Sequence, residues 1–384
     1  MRIGFDAKRA THNWRGLGNY SRSLIGGIHE YYPQEELFIY SPSFKSTRAR
    51  DWAQSLKESH PETLHFREPK GVISKKLSSV WRGYGIQKDI EKDEIDIFHG
   101  LSHELPSFLS KKKTFWVVTI HDLIFLKFPE FYPAMDRFVY KQKVISACKK
   151  ADIVIAICEQ TKNDLIELLN VDPRKIVIHY QSCSPQFYTQ KTEAEINKVV
   201  IDKYKISQKF ILNVGAFEER KNQLNLVEAF ALNAEHLPHD LVLIGQGKAY
   251  LEQVKQTIEK YKLQKRVHIL NRVDYEELPA FYQKASVFCF PSFYEGFGIP
   301  IIEALFSKTP VITSLGSCFP ESAGPHSLYI DPYDKKSIAQ ALENVLDAPI
   351  IAQQMREKGL QYAQRFLLKN SIDHLMQIYK AFQA

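Results

Sequence analysis

The sequence has few cysteines, and none is arranged as a metal site or a disulfide framework would need. Its 384 residues include five cysteines, an odd number, and no two of them form a C-x-x-C pair. Small secreted domains use dense cysteine pairs, and structural zinc sites use closely spaced cysteines. We therefore expect a reducing compartment. Cys289 lies in an apolar run and is expected in a hydrophobic core.

Long hydrophobic runs and a leader peptide are also missing. No stretch reaches the roughly 18 consecutive apolar residues that a membrane-spanning helix needs. The opening MRIGFDA contains no basic segment followed by an apolar one, so we expect no secretory signal. With 44% hydrophobic and 25% charged residues, the composition is typical of a soluble globular protein. We predict a cytoplasmic protein.

Most of the excess of positive charge lies in the first half of the chain. The net charge is +7, and residues 1–190 hold 28 Lys and Arg against 22 Asp and Glu, whereas the rest hold 23 against 22. Such an excess suits nucleic acid, an anionic membrane or an acidic substrate. Because no helix-turn-helix, zinc-finger or RNP sequence accompanies it, we expect no nucleic-acid partner.

Part of this excess lies in the stretch Lys70–Lys92, where basic residues are interleaved with aromatic ones. The members are Lys70, Lys75, Lys76, Trp81, Arg82, Tyr84 and Lys88, and three lysines follow at 111–113. This mixture suits an anionic membrane surface, such as the inner face of the cytoplasmic membrane. A solvated helix face and a charged loop would give the same pattern, so both interpretations stay open.

Short β-branched or aromatic runs alternate with longer amphipathic ones, which predicts βα units in a doubly wound parallel sheet. Strands are expected at 2–6, 37–40, 95–99, 115–120, 152–157 and 176–179, and again at 210–214, 240–244, 267–270, 286–290, 311–313 and 328–331. A polar stretch from about 182 to 208 separates the two series and is predicted to be a hinge.

Two Rossmann-like α/β domains are therefore expected, facing one another. The first spans residues 1–190 and the second spans 205–365. Residues 366–384 are predicted to form a helix that packs back on the first domain. Since ligands of open α/β sheets bind at the carboxyl ends of strands, the loops after those strands are the candidate sites.

The strongest such loop follows the predicted strand that ends at Phe290. It carries Glu295 and two glycines, and a helix begins near Ile299, with Glu303 about one turn further on. Amides at a helix start attract an anion, glycines let a ligand approach the main chain, and carboxylates accept hydrogen bonds from hydroxyls. The pattern predicts a ligand that has both phosphates and hydroxyls. Taken singly, the two glutamates would also fit a helix cap and a solvated side chain.

A second loop follows the predicted strand 210–214. Gly215 turns the chain, and the adjacent cations Arg220 and Lys221 precede a helix. Arg grips phosphate with two hydrogen bonds and Lys acts as a point charge, so the pair suits a diphosphate. Two solvated basic residues beside Glu218 and Glu219 are the alternative.

Two weaker patterns lie in the first half. Gly16 and Gly18 precede a helix after the first strand, and a strand ends in the dipeptide His121-Asp122. Half of such glycine loops are ordinary turns. A histidine at a strand end often has its hydrogen bonds satisfied by a local turn.

The string from Phe290 to Glu303 resembles the E-x7-E signature of retaining glycosyltransferases of family 4, which have the GT-B fold. The segment from Gly215 to Asn222 is similar to the phosphate motif of that family, and the resemblance is dense from residue 210 to 331. Two departures lie in the first half: Cys158 stands where many relatives have serine, and Gln181-Ser182 replaces an asparagine-glycine pair.

The resemblance implies a role for each candidate residue. Glu295 would contact the donor sugar, Glu303 the ribose, and Arg220 and Lys221 the diphosphate of the leaving nucleotide. The other implied donor-binding residues are Gly16, Gly18, Val273, Gly296, Phe297, Gly298 and Ile299. His121 would lie near the anomeric carbon without acting as a general base, because the leaving phosphate is usually proposed to deprotonate the acceptor.

The resemblance thus implies a metal-independent, cofactor-free hexosyltransferase with a nucleotide-sugar donor and a glycan or lipid-linked acceptor. The sequence is similar to bacterial mannosyltransferases of O-antigen and capsule synthesis, which makes GDP-mannose the first donor expected. A UDP-sugar donor, such as UDP-glucose, UDP-galactose or a UDP-N-acetylhexosamine, is the alternative. A sugar-nucleotide epimerase or a silent nucleotide-sugar-binding subunit would be expected to lack some of the two glutamates and two cations, and all four are present.

Overall fold

The computed structural model describes residues 1–58, 60–70, 80–109, 114–206 and 208–381. The chain divides into two compact units. The first unit contains Met1–Ser182 and Leu368–Ala384, and the second unit contains Cys183–Leu367. Each unit is built on its own parallel sheet.

The first unit has a seven-stranded sheet. Its strands are β1 Arg2–Asp6, β2 Glu36–Tyr40, β3 Leu64–Arg67, β4 Ile97–Gly100, β5 Phe115–Ile120, β6 Ile153–Ala156 and β7 Ile176–Ile178, in the order β3-β2-β1-β4-β5-β6-β7. Every recorded pairing is parallel. The central strands are buried almost throughout, as strands covered by helices on both faces must be.

The α-helices of the first unit connect these strands and cover the sheet. They are α1 Lys8–His12, α2 Gly16–Tyr31, α3 Thr47–Lys57, α4 Ile86–Lys92, α5 Ile124–Lys127, α6 Ala134–Lys150 and α7 Glu159–Leu169, together with α16 Leu368–Lys380 from the end of the chain. Helix α16 packs into the core of this unit through Ile372, Met376 and Tyr379. The Tyr379 hydroxyl lies 2.6 Å from His99 Nδ1 on β4, which adds a buried polar contact to the apolar ones.

The second unit has a six-stranded sheet. Its strands are β8 Phe210–Val214, β9 Asp240–Ile244, β10 Val267–Leu270, β11 Val287–Phe290, β12 Val311–Ser314 and β13 Leu328–Ile330, in the order β10-β9-β8-β11-β12-β13. Its helices are α8 Glu193–Asn197, α9 Gln223–Asn233, α10 Ala249–Lys260, α11 Leu278–Lys284, α12 Ile299–Phe306, α13 Phe319–Ala323, α14 Lys335–Leu346 and α15 Pro349–Ala363.

The strand order reverses beside β1 in the first sheet and beside β8 in the second. At such a switch point the connections leave neighbouring strands in opposite directions and open a crevice at the carboxyl ends, where ligands of this fold bind. The loops after β8 and β11 carry the two strongest sequence motifs, and they leave adjacent strands.

Two predicted Rossmann-like α/β domains are confirmed, and the differences are local. The short edge strand β3 was not predicted, and β4 begins two residues later than expected. The stretch predicted to be a hinge contains α8, which begins at a capping box formed by Thr192 and Glu195. Val200 and Ile206 are buried, so apolar packing orders a segment that looked polar in the sequence.

Gly18 and Gly16 differ sharply in the space around them, which predicts different effects of adding a methyl group. A Cβ at Gly18 would lie 1.6 Å from the Asn13 carbonyl oxygen, whereas a Cβ at Gly16 would meet nothing within 4 Å. We expect Gly18→Ala to destabilise the protein by about 1–3 kcal/mol, because the backbone at Asn13 must move. Thermal unfolding should show a lower Tm for Gly18→Ala and no loss for Gly16→Ala. Equal Tm values for the two variants would contradict this packing argument.

Candidate active site

The loops after β8 and β11 are tied together by main-chain and side-chain hydrogen bonds. Asn222 adopts a left-handed conformation with φ of 61° at the start of α9, and its side-chain amide donates to the carbonyl oxygens of Pro291 and Pro332 at 3.0 and 2.7 Å. The amide of Phe293 donates to the carbonyl of Arg220 at 2.9 Å. These bonds fix the cations of one loop against the glutamate of the other.

Glu295 lies between the two predicted phosphate-binding cations. Its Oε2 is 2.7 Å from Arg220 Nη1, and its Oε1 is 2.5 Å from Lys221 Nζ. The Arg220 guanidinium also donates to the Tyr294 carbonyl and to Glu218. The structure therefore brings Arg220, Lys221 and Glu295 together in one cluster.

This cluster is largely shielded from water. The side chains of Arg220, Lys221 and Glu295 are only 14%, 13% and 10% exposed. Burial alone would raise the pKa of Glu295, but the charges and hydrogen bonds of Arg220 and Lys221 outweigh it and lower that pKa. Glu295 is therefore a carboxylate, and an incoming anion would compete with it for the two cations.

The helix start beside this cluster requires a glycine. Gly298 precedes α12 and has φ of +91°, a conformation that residues with a Cβ rarely adopt. Helix α12 begins at Ile299, with proline in its first turn, and its first amides point toward the loop. Phe297 is buried and its ring lies 5.6 Å from that of Phe366, so it offers a ligand its main chain rather than its ring.

Glu303, on α12, is buried and bonded to two tyrosines. The Tyr282 hydroxyl donates to Oε2 at 2.9 Å, and the Tyr275 hydroxyl donates to Oε1 at 3.3 Å. Burial raises the pKa of Glu303 to about 7, although the two hydroxyls oppose the shift. The solvated side chain considered from the sequence is therefore excluded. Sequence reasoning missed both tyrosines, although Tyr275 lies two residues after the half-buried Val273, one of the implied donor-binding residues.

His121, in the first unit, has both ring nitrogens engaged. The Gln181 amide lies 2.8 Å from Nδ1, and Nε2 lies 2.9 Å from the Leu101 carbonyl oxygen. A carbonyl only accepts, so Nε2 carries the proton and Nδ1 accepts from Gln181. Burial, reinforced by His103, lowers the pKa of His121 to about 3. Gln181 belongs to one of the two departures from the family pattern, and here it is the hydrogen-bond partner of the unprotonated Nδ1 of His121.

An ion-pair network that the sequence did not reveal lies at the carboxyl ends of β1 and β4. Arg82 pairs with Asp6 at 2.8 Å and with Glu104 at 2.5 Å, and Lys143 pairs with Glu104 at 2.8 Å. Burial opposes ionisation of Glu104, but these cations lower its pKa to about 2. Arg82 therefore pairs with carboxylates inside the first unit and does not contribute an unpaired charge to a basic surface.

The rest of the basic stretch Lys70–Lys92 is only partly placed. Trp81 is buried, whereas Tyr84, Lys70, Lys88 and Lys92 are exposed. Lys75, Lys76 and the lysines at 111–113 lie outside the described residues. Within the described residues, no helix combines the length and apolarity needed to cross a bilayer.

The raised pKa of Glu303 predicts a pH-dependent stability. Its ordinary pKa is 4.5, so the folded chain holds a proton that the unfolded chain loses between pH 4.5 and 7, and stability falls as pH rises through this window. A shift of this size is worth about 3 kcal/mol, or roughly 5–10 °C in Tm. In Glu303→Gln this contribution should disappear, so calorimetry at pH 5 and pH 8 should show a smaller decrease in Tm than in the wild type. Identical pH slopes would show that Glu303 titrates normally.

Comparisons with known proteins agree with this geometry. The family model described as Glycosyltransferase Family 4 matches residues 16–183, and the model described as Glycosyl transferases group 1 matches residues 197–362. O-antigen chain mannosyltransferase B of Escherichia coli is 28% identical over 99% of this chain and 100% of its own length. O-antigen chain mannosyltransferase RfbU of Salmonella typhimurium is 29% identical over 60% of this chain and 61% of its own length.

Solved structures share the fold over the whole chain. Sucrose-phosphate synthase of Thermosynechococcus elongatus superposes with a TM-score of 0.77 at 18% identity, covering 100% of this chain and 99% of its own. HepE of Anabaena, solved with UDP and glucose, gives 0.75 at 15% identity over 99% and 100% of the two chains. With both halves matched by glycosyltransferase models and the two Rossmann-like units in place, the chain belongs to the family 4 glycosyltransferases of the GT-B fold.

Proposed function

We propose that this glycosyltransferase transfers mannose from GDP-mannose, with retention of anomeric configuration, to a glycan or lipid-linked acceptor in cell-surface polysaccharide synthesis. The observation that carries the proposal is the Arg220–Glu295–Lys221 cluster at the switch point of the second sheet. It combines two cations for a diphosphate with a carboxylate for sugar hydroxyls.

Each member of the cluster has a distinct task in this proposal. Arg220 and Lys221 bind the diphosphate and stabilise the negative charge that develops as the nucleotide leaves. Glu295 moves its hydrogen bonds from the cations to the donor sugar and so orients the anomeric carbon. The first amides of α12 bind the same phosphates. Glu303, held by Tyr275 and Tyr282, accepts hydrogen bonds from the ribose hydroxyls.

The chemistry of His121 supports a transfer in which the leaving phosphate takes the proton of the acceptor. A general base works best with a pKa near the operating pH. The pKa of His121 is lowered to about 3, and both of its ring nitrogens are engaged. We therefore assign His121 no proton transfer in the reaction.

The donor assignment follows from the relatives. Two of them are named O-antigen chain mannosyltransferases, and one of these spans essentially the whole chain. HepE, whose structures contain UDP, UDP-glucose or UDP and glucose, shares the fold alone and keeps a UDP-sugar as the alternative donor. We further propose a cytoplasmic enzyme that is peripheral at the inner face of the membrane, with the exposed Lys70, Lys88 and Lys92 facing anionic lipid.

A thermal-shift screen against GDP, UDP, ADP and their sugars tests the donor. Only a bound nucleotide raises Tm through mass action, and we expect GDP and GDP-mannose to give the largest shift. Lys221→Ala should reduce that shift and lower mannose transfer by at least about 100-fold, since it removes a charge that acts on the leaving phosphate. Lys255→Ala, on the surface of α10, is the matched control and should behave as the wild type.

Two outcomes would contradict parts of this proposal. A larger Tm shift with UDP-sugars than with GDP-mannose would show that the donor is a UDP-sugar. Undiminished transfer by Lys221→Ala would remove the assigned role of the cluster. The transfer assay also tests retention, from the NMR coupling constant at the anomeric carbon of the product. It tests metal independence from the activity that remains in EDTA.

A further inference from the structure

Helix α6 of the first unit carries apolar side chains on two opposite faces. Val144, Ala147 and Cys148 are buried and join the core cluster beneath the helix. Met135, Phe138 and Val139 are 72%, 61% and 39% exposed. The helix therefore presents a second apolar face to its surroundings.

The periodicity of the helix separates these two faces. At 3.6 residues per turn, Met135, Phe138 and Val139 form one cluster of neighbours at i, i+3 and i+4. That cluster lies roughly opposite Val144 and Cys148. All residues from 133 to 143 are exposed except Arg137, which is half-buried, so the first turns of α6 stand clear of the core.

The charges around the outward face are mostly positive. Helix α6 holds five cations, Arg137, Lys141, Lys143, Lys149 and Lys150, and a single acid, Asp136. Lys143 pairs with Glu104, and Lys150 donates to the carbonyls of Pro106 and Ser107. Lys141 and Lys149 are exposed. Viewed along the helix axis, Lys141 lies about 60° beyond Phe138, and Lys149 points in the same direction as the apolar cluster, further along the helix.

We infer that Met135, Phe138 and Val139, together with Lys141 and Lys149, form a docking surface for an anionic lipid bilayer. Interfacial helices bury an apolar face at the level of the headgroups while adjacent Lys and Arg contact anionic lipid. Exposed apolar side chains on a convex, cationic helix fit a fluid anionic surface better than a shaped protein groove. The inference deepens the proposed function, since a lipid-linked acceptor is presented at such a surface.

Vesicle co-sedimentation tests the inference without any substrate. We expect the wild-type chain to bind vesicles that contain phosphatidylglycerol and to bind pure phosphatidylcholine weakly. Met135→Ser/Phe138→Ser should lower the partition coefficient on anionic vesicles at least tenfold. Lys141→Glu should lower it by a smaller factor, and added salt should weaken wild-type binding.

A matched control lies in the second unit. Ile350 and Ile351, at the start of α15, are 75% and 50% exposed, which is comparable with the docking surface. Ile350→Ser/Ile351→Ser should bind vesicles like the wild type. Equal losses in the two double variants would show non-specific stickiness and would overturn the inference.

Further outcomes separate this inference from the proposed function. A wild-type chain that transfers mannose to a soluble acceptor but does not bind anionic vesicles would overturn the docking surface and the proposed membrane location, and it would leave the proposed transfer reaction intact. Vesicle binding without any nucleotide-induced Tm shift would contradict the enzyme proposal alone. If sedimentation velocity without lipid shows a dimer that Met135→Ser/Phe138→Ser abolishes, the face is an interface between two copies and the inference is wrong. A nucleotide-induced Tm shift retained by that variant confirms that it is folded.

Discussion

The carboxylate of Glu295, shared by Arg220 and Lys221, is the interaction on which the candidate site depends. Two cations that lie side by side at low exposure would repel each other and would have to be held by their surroundings. Glu295 neutralises them, and the bonds of Asn222 to the neighbouring loops fix the distance between the cations and the glutamate. A site that is paired internally in this way is rigid, and it can exchange one anion for another with little loss of order.

The motifs after β8 and β11 were predictable because their spacing is local in the sequence. Strand, glycine, cations and helix start occur within a dozen residues, and the reversal of strand order then makes them neighbours. The burial of Glu303 was not predictable, because Tyr275 and Tyr282 approach it from another segment, more than twenty residues earlier. The strand β3 was missed because three of its four residues are only half-buried at the edge of the sheet, so it lacks a clear apolar run.

The first unit also contains contacts that the sequence alone did not predict. The sequence indicated His121 from its position at the end of β5, but its partner Gln181 lies sixty residues later in the chain and is known only from the fold. Likewise, Arg82 looked like part of a basic surface, and only the fold reveals Asp6 and Glu104 as its partners. Charge patterns along a chain report composition, whereas the pairing of each charge is a long-range property.

Binding of GDP by the Glu295→Gln variant tests the central claim most directly. If Glu295 competes with a diphosphate for Arg220 and Lys221, removing its charge frees both cations for the phosphates. Isothermal titration should then show GDP bound more tightly than by the wild type, because the carboxylate no longer neutralises the two cations, while mannose transfer is lost. Weaker GDP binding by the variant would contradict the account, since it would mean that Glu295 supports the phosphate site instead of competing for its cations.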